Sequence, residues 1–307
     1  MVLGETLPPA GRYAPSPSGE LHVGNLRTAV LAWLFARTTD RSFVIRMEDL
    51  DRTAVGADRR QLGDLTALGM DWVPPVVYQS TRLAAYQSAI DGLRDAGRTF
   101  ECFCTRREIQ EAPSAPHAPE GAYPGTCREL TDAERADRRA AGRPPAIRLR
   151  SDTPEFTVSD LLHGRYTGMV DDFVVQRNDG TPAYNLAVVV DDAAQGIDQV
   201  VRGADLLSSA PRQAYLATLL GHLPPVYAHV PMVLNAKRIR LSKRDGAVTL
   251  TDLAARGVTV AQVLSHIAQS LWLADPGEVV DLATLVERFR PDALPHDPWI
   301  LTADEWE

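Results

Sequence analysis

Residues 11–37, GRYAPSPSGELHVGNLRTAVLAWLFAR, constrain the fold of this 307-residue chain more than any other stretch. A short apolar lead-in runs into a turn punctuated by Pro15, Pro17 and Gly19, then reaches His22, Val23, Gly24 and Asn25. Leu26, Ala29, Val30, Trp33 and Leu34 follow at helical spacing on one face, with Asn25 as the expected N-cap. The order is strand, loop, helix. The helix then aims its unpaired N–H groups and the positive end of its dipole at the loop, which favours an anion such as phosphate. Taken alone, a His-x-Gly-Asn turn is equally an ordinary connection in which His22 packs or caps.

The alternation continues. Residues 43–47 read as a strand ending in Glu48, Asp49 and Asp51, and residues 57–70 and 82–96 as helices. In an open α/β sheet ligands bind at the C-terminal edge of the strands, so Glu48 is placed to meet a cation such as an amino group. The alternative is an acid cluster that merely opens a helix. Ala187–Val190 reads as a strand buried on both faces and ending at Asp191 and Asp192, with Tyr184 just before it. Val200 and Val201 lead to Arg202 at another strand end, then a helix over 211–220. Together these predict an α/β fold with a doubly wound, parallel, Rossmann-type sheet.

Between the two halves lie the only cysteines, Cys102, Cys104 and Cys127, with Tyr123 four residues before the last. Three thiols and one further donor suit a tetrahedral zinc site, although buried cysteines also serve as small apolar residues. Strands are expected at 146–150 and 173–177, a hairpin-type turn at Asn178-Asp179-Gly180, and a loop at 163–167. The run around Arg135, Arg138 and Arg139 is either a basic patch or a solvated helix face.

The net charge of −8 argues against indiscriminate nucleic-acid binding, but it is unevenly placed. Residues 251–307 hold ten acids against three arginines, whereas 235–244 hold five basic residues and no acid. Past the good helix expected at 260–273, Trp299 and Trp306 are expected to dock an acidic tail on the core rather than stack on bases. With no apolar stretch of membrane-spanning length and no leader pattern at the start, a cytoplasmic protein is expected, with no membrane partner.

Two separated signatures decide between the open alternatives. His22 to Asn25 resembles the His-Ile-Gly-His signature of class I aminoacyl-tRNA synthetases, and Arg240-Leu241-Ser242-Lys243-Arg244 resembles their Lys-Met-Ser-Lys-Ser loop. With RYAPSPSGELHVGN, IRMEDLDRT, AYNLAVVVDD and VVRGADLL, the likeness narrows to the catalytic half of glutamyl-tRNA synthetases. It is similar above all to their short paralogues, the glutamyl-queuosine tRNA(Asp) synthetase family, because only about sixty residues follow the Lys243 loop and no anticodon-binding domain is expected.

The resemblance implies a ligase that joins L-glutamate to ATP as glutamyl-adenylate, with Mg2+, and transfers glutamate to queuosine in the anticodon of tRNA(Asp). It implies His22 and Lys243 as catalytic residues, and Gly24 and Asn25 with them around ATP. It implies Arg12, Tyr13, Ala14, Pro15, Ser16, Glu48, Tyr184 and Arg202 around glutamate, the two arginines suited to a carboxylate by their planar forks. It also implies one structural Zn2+ on Cys102, Cys104, Tyr123 and Cys127, with His117 as a rival fourth ligand. The expected division is 1–100 and 186–245 for the catalytic halves, 101–185 for the inserted zinc-bearing subdomain and 246–307 for a helical tail, acting as a monomer. A truncated glutamyl-tRNA synthetase and a catalytically silent glutamate- or tRNA-binding protein are the alternatives.

Overall fold

The computed structural model describes residues 7–111, 123–241, 248–302 and 306. In chain order the elements are β1 (Ala10–Tyr13), α1 (Val23–Arg37), β2 (Ser42–Met47), α2 (Ala57–Ala67), β3 (Val77–Tyr78), α3 (Leu83–Asp95) and β4 (Thr99–Cys102). There follow α4 (Arg106–Glu111), α5 (Asp132–Ala140), β5 (Ala146–Leu149), β6 (Glu155–Asp160), β7 (Gly164–Met169) and β8 (Val174–Gln176). The second half has α6 (Tyr184–Ala194), β9 (Ile197–Gly203), α7 (Ala210–Leu219), β10 (Val226–Val230) and β11 (Val233–Asn235), then α8 (Leu250–Ala255), α9 (Val260–Ser270), α10 (Leu282–Arg288) and β12 (Trp299–Leu301).

The main sheet runs β3-β2-β1-β9-β10-β6-β7 and is parallel except for the last pair. The chain leaves β1 toward one edge and returns at β9 on the other side, so the strand order reverses between them. That is the switch point at which such sheets bind ligands, beyond the strands' C-terminal ends. β4, β5 and β8 form a separate antiparallel sheet, while the β6–β7 hairpin, from the same stretch of chain, extends the main one.

Helix α1 differs from its expected one-sided pattern. Val23, Leu26, Arg27 and every residue from Ala29 to Ala36 are buried, because the sheet covers one side and the tail covers the other. Phe35 meets Phe289 edge to face at 5.0 Å, and Ile267, Leu271 and Leu285 share its core. Removing one such buried leucine, Leu26 for example, costs roughly 2–5 kcal/mol. The tail is more than one helix: α8 and α10 flank α9, and β12 pairs in parallel with β11. Trp306 is buried and Trp299 packs against the same core, as the expected docking requires.

Two local expectations fail for identifiable reasons. Residues 187–190 are helical, within α6, where Leu186 to Val189, Asp191 and Asp192 are all buried. An unbroken apolar run has no period of its own, and packing against α3 and α7 outweighs the strand preference of valine. The loop expected at 163–167 is mostly β7, polar because its residues are largely exposed; Thr157 and Thr167 join it to β6 by a hydroxyl pair at 2.8 Å. The hairpin-type turn expected at 178–180 is present, with Gly180 at φ 84°: the Arg177 N–H donates to the Thr181 carbonyl at 2.8 Å, the Ala183 N–H donates to the Val175 carbonyl at 3.0 Å, and Gln176 bridges Pro182 between them before α6 starts. As for the arginine-rich run, α5 has no buried residue and pairs Arg135 with Asp132 and Arg139 with Glu101, so it is a solvated face.

Candidate active site

At the switch point a cavity of about 970 Å³ opens, ample for a nucleotide and a small acid. It is lined by Arg12, Tyr13, Ala14, Pro15 and Ser16 from the end of β1 and its loop, by His22, Gly24 and Asn25 at the start of α1, by Glu48 after β2, and by Tyr184 and Arg202. Eleven residues singled out in the sequence thus share one cavity. Ser242, Lys243 and Arg244 lie outside the described residues, but Arg240 and Leu241 line the cavity on the approach to them.

The start of α1 is tied to residues just past the second signature. The Val23 N–H donates to the Val248 carbonyl at 3.0 Å, and His22 bridges Thr249, so the far end of the 242–247 segment is tied to the start of α1. The loop itself is held by Gln61, whose amide donates to the carbonyls of Ser16 and Gly19 at 3.1 and 2.6 Å. Asn25 is not the N-cap. His22 is, its Nδ1 accepting the Asn25 N–H at 3.2 Å while Asn25 Oδ1 accepts the His22 N–H at 3.3 Å. The reciprocal pair satisfies two groups that the helix start leaves open. It also fixes a tautomer: with Nδ1 accepting, a neutral His22 carries its proton on Nε2, as a donor to phosphate must. Gly24 leaves little room for a side chain, since a Cβ there would lie 3.1 Å from the His22 ring and 3.2 Å from Val233 Cβ, so these neighbours would have to give way by a few tenths of an ångström.

Below the loop sits a group of buried charges. Arg46, fully buried in β2, donates from Nη1 to Asp192 at 2.7 Å and to Gln195 at 2.9 Å, and its Nη2 reaches Glu48 at 3.4 Å. Its Nε lies 3.7 Å from Asp191, which also takes Gln79, Arg82 and Tyr86. Arg12 adds a longer contact to Asp192, 3.4 Å, and donates to the Val201 carbonyl at 3.3 Å. Burial pushes Asp192 up, but the guanidiniums of Arg46 and Arg12 outweigh it and hold its carboxyl below the usual range. Glu48 goes the other way. Burial pushes its carboxyl up and the same guanidiniums only partly offset this, so an incoming ammonium group finds an acid that a further positive charge would favour.

Arg202 is different again. Only 5 % exposed, it donates from Nε to His229 at 3.0 Å, from Nη1 to Gln213 at 2.7 Å and from Nη2 to the Leu206 carbonyl at 3.3 Å. All three acceptors are neutral, and among the described residues no carboxylate lies within ion-pair distance of it. Asp192 feels its charge without touching it and Asp160 stands one side chain behind His229, so this guanidinium at the cavity wall has no carboxylate in direct contact and can receive an external anion.

The cysteine cluster is a second, separate centre. The sulfurs of Cys102, Cys104 and Cys127 lie within 4.8 Å of one another, with Cys104 and Cys127 at 3.5 Å. The Tyr123 hydroxyl sits 3.4 Å from Cys102 Sγ and accepts the Cys127 N–H at 2.8 Å. Burial pushes the Cys104 thiol up to about 12, and its neighbouring thiols add to the rise. Three soft donors this close fit one tetrahedral thiophilic cation, which would itself remove the thiol protons. His117 lies outside the described residues.

Sequence reading passed over Arg46, Gln213, His229 and Asp160, and gave Asp191 and Asp192 no partner. Arg46 had a signal: a cation in the middle of an apolar strand has to find carboxylates if that strand is central. The others depend on pairs far apart in the chain.

The sequence profile of tRNA synthetases class I (E and Q), catalytic domain, matches residues 10–305. A glutamyl-Q tRNA(Asp) synthetase of Nocardia farcinica is 62% identical over 303 residues, covering 98% of this chain and 96% of the relative. A glutamate–tRNA ligase of Synechococcus is 40% identical over 276 residues, 87% of this chain but 58% of the ligase. The crystal structure of a glutamate tRNA ligase from Elizabethkingia meningosepticum, in complex with its amino acid, superposes with a TM-score of 0.81 at 23% identity, covering 98% of this chain and 68% of that one.

Proposed function

Since the chain belongs to the family of class I tRNA synthetase catalytic domains of the glutamyl and glutaminyl type, we propose that it activates L-glutamate with ATP and transfers it to the queuosine base of tRNA(Asp). The observation that carries the amino acid is Arg202, a buried cation at the cavity wall whose partners are neutral. What favours the tRNA base over a 3′ end is the stronger likeness to the glutamyl-Q relative, 62% identical over 98% of this chain, than to the glutamate–tRNA ligase, 40% identical over 87% of it.

In this reading Arg202, with Arg12 beside it, receives the side-chain carboxylate, Glu48 takes the α-ammonium group, and Tyr13, Ala14, Pro15, Ser16 and Tyr184 close around the rest. The α-carboxylate oxygen then attacks the α-phosphorus of Mg2+-ATP and pyrophosphate leaves. Charge builds on the phosphate oxygens, which face the N-terminus of α1 with His22, Gly24 and Asn25, and Lys243 supplies a further cation. A lost transition-state donor such as His22 costs roughly 2.7–4 kcal/mol. An acceptor hydroxyl of the modified base next attacks the glutamyl carbonyl, and AMP departs. One Zn2+, held by Cys102, Cys104, Cys127 and Tyr123, would supply cross-linking and no step of the reaction. Residues 1–100 and 186–245 form the catalytic halves, with 101–185 between them and 246–307 behind, in a monomer working in the cytoplasm. Among the described residues no helix is long and apolar enough to cross a membrane.

The test is amino-acid-dependent ATP–pyrophosphate exchange without tRNA, across a panel of amino acids, followed by mapping of labelled glutamate on charged tRNA. The reading expects exchange with glutamate alone and label on the anticodon nucleoside of tRNA(Asp). Label on the terminal adenosine of tRNA(Glu) would make the chain a minimal glutamyl-tRNA synthetase, and absence of exchange would make it a binding protein.

A further inference from the structure

Behind Arg202 the structure holds a buried chain of three side chains. His229, fully buried in β10, accepts the Arg202 Nε–H on its Nε2 at 3.0 Å, and its Nδ1 lies 2.6 Å from Asp160 Oδ2. Asp160, the last residue of β6, is 5 % exposed, and its acceptor sites are well filled. Its Oδ2 also accepts the His229 N–H at 3.1 Å, and its Oδ1 accepts the N–H groups of Leu162 and His163, both at 2.9 Å.

The protons follow from the donor inventory. An ionised carboxylate accepts only, so Nδ1 of His229 has to be the protonated nitrogen. A guanidinium donates only, so Nε2 has to be bare. The two ends of the chain therefore demand the same tautomer. The ring is further pinned by Tyr227, stacked on it at 5.6 Å and 19°, while the His163 ring nitrogen, 3.0 Å from the His229 carbonyl, holds the backbone of the same residue. With His229 on Nε, Gln213 on Nη1 and the Leu206 carbonyl on Nη2, one N–H remains on each terminal nitrogen of Arg202. A carboxylate can take one hydrogen bond from each of them.

We propose that Asp160 and His229 are positioning residues for the substrate: Asp160 sets the imidazole tautomer, and the imidazole, as an acceptor, holds the Arg202 fork at the angle that grips the glutamate side-chain carboxylate. The inference rests on the reading that Arg202 binds that carboxylate. It also gives β6, from the stretch between the catalytic halves, a part in amino acid selection.

The substitutions separate this from a packing role. His229→Phe keeps the ring and removes the acceptor; His229→Gln places an amide oxygen near the position of Nε2. In Asp160→Asn the amide has to turn an NH2 toward either the backbone N–H pair or the imidazole, and the latter reverses the tautomer. His229→Phe and Asp160→Asn are expected to raise the KM for glutamate about tenfold or more, the usual effect of losing a hydrogen bond to a charged group. The KM for ATP stays within about twofold, and His229→Gln returns the glutamate KM to within about threefold of wild type.

Histidine 15N spectra of the wild-type protein, with the His229 signals identified by their loss in His229→Gln, should show Nδ1 protonated and Nε2 bare at neutral pH. A proton on Nε2, or an unchanged glutamate KM in folded His229→Phe, overturns the proposal. Arg202→Met distinguishes the two levels. If it leaves the glutamate KM unchanged, the underlying reading of the site falls; if it raises that KM while the His229 and Asp160 variants do not, the positioning chain alone falls.

Discussion

Arg46 and Arg202 are both buried, 0 % and 5 % exposed, and both end near the same cavity, yet their surroundings are opposite. Arg46 has Asp192, Glu48 and Asp191 within 4 Å, so its charge is answered from inside the fold. Arg202 has an imidazole, an amide and a carbonyl. Burying a cation with no carboxylate in direct contact is a costly arrangement. The difference teaches what separates a strut from a candidate seat: a buried charge in direct contact with carboxylates is answered within the fold, and one whose direct partners are all neutral is open to a ligand's anion. The cysteine cluster is the same case with the sign reversed, three thiols gathered for a cation.

Metal removal gives the largest effect on this comparison. Stripping the protein with a strong chelator should release zinc and lower the unfolding midpoint more than any single substitution, because a structural zinc contributes on the order of 10 kcal/mol. Metal analysis and thermal unfolding before and after treatment check this, and a metal-free protein of unchanged midpoint would contradict it. Next comes Arg46→Met, which strands carboxylates in the core and should destabilise the fold by about 3–5 kcal/mol in urea titration.

Arg202→Met should behave in the other way. Glutamate-dependent pyrophosphate exchange should fall about a hundredfold, the loss of a two-bond guanidinium–carboxylate contact, while unliganded stability stays within about 1 kcal/mol of wild type. The removed desolvation penalty offsets the three acceptors, His229, Gln213 and the Leu206 carbonyl, that lose their donor.

The smallest effect concerns Asp64, a half-buried acid that burial and nearby Glu20 raise from 3.8 to about 6. A carboxyl whose folded value is raised contributes stability below its ordinary value and loses it as pH rises through about 6. Asp64→Asn should therefore gain on wild type between pH 4 and pH 6 and hold that gain above, by under about 1 kcal/mol after solvent screening. An advantage that appears only below pH 4 would reverse the sign and refute the assignment.

Much of this was legible in the sequence because it is local. The loop from Ala14 to Asn25 announces itself by its prolines, its glycine and the helix that follows, and Glu48 and Arg202 stand where apolar strands stop. What was hidden depends on distant pairings. Asp191 and Asp192 looked like the end of a strand; as successive residues of a buried helix they point about 100° apart, one toward Arg82 and Tyr86, the other toward Arg12 and Arg46. The burial of α1 on its second side depends on tail residues more than two hundred positions away, such as Ile267 and Leu285. A lone histidine in β10 gives no sign that Asp160 and Arg202 will flank it.

The central claim is that Arg202 is buried for a ligand's carboxylate and not for the fold. Equilibrium urea unfolding of wild type and Arg202→Met, each with and without saturating glutamate, tests it most directly. The account predicts that glutamate stabilises the wild-type protein and leaves the variant, similar in stability when unliganded, unmoved. A variant that loses several kcal/mol on its own and is still stabilised by glutamate would show that Arg202 is a strut like Arg46.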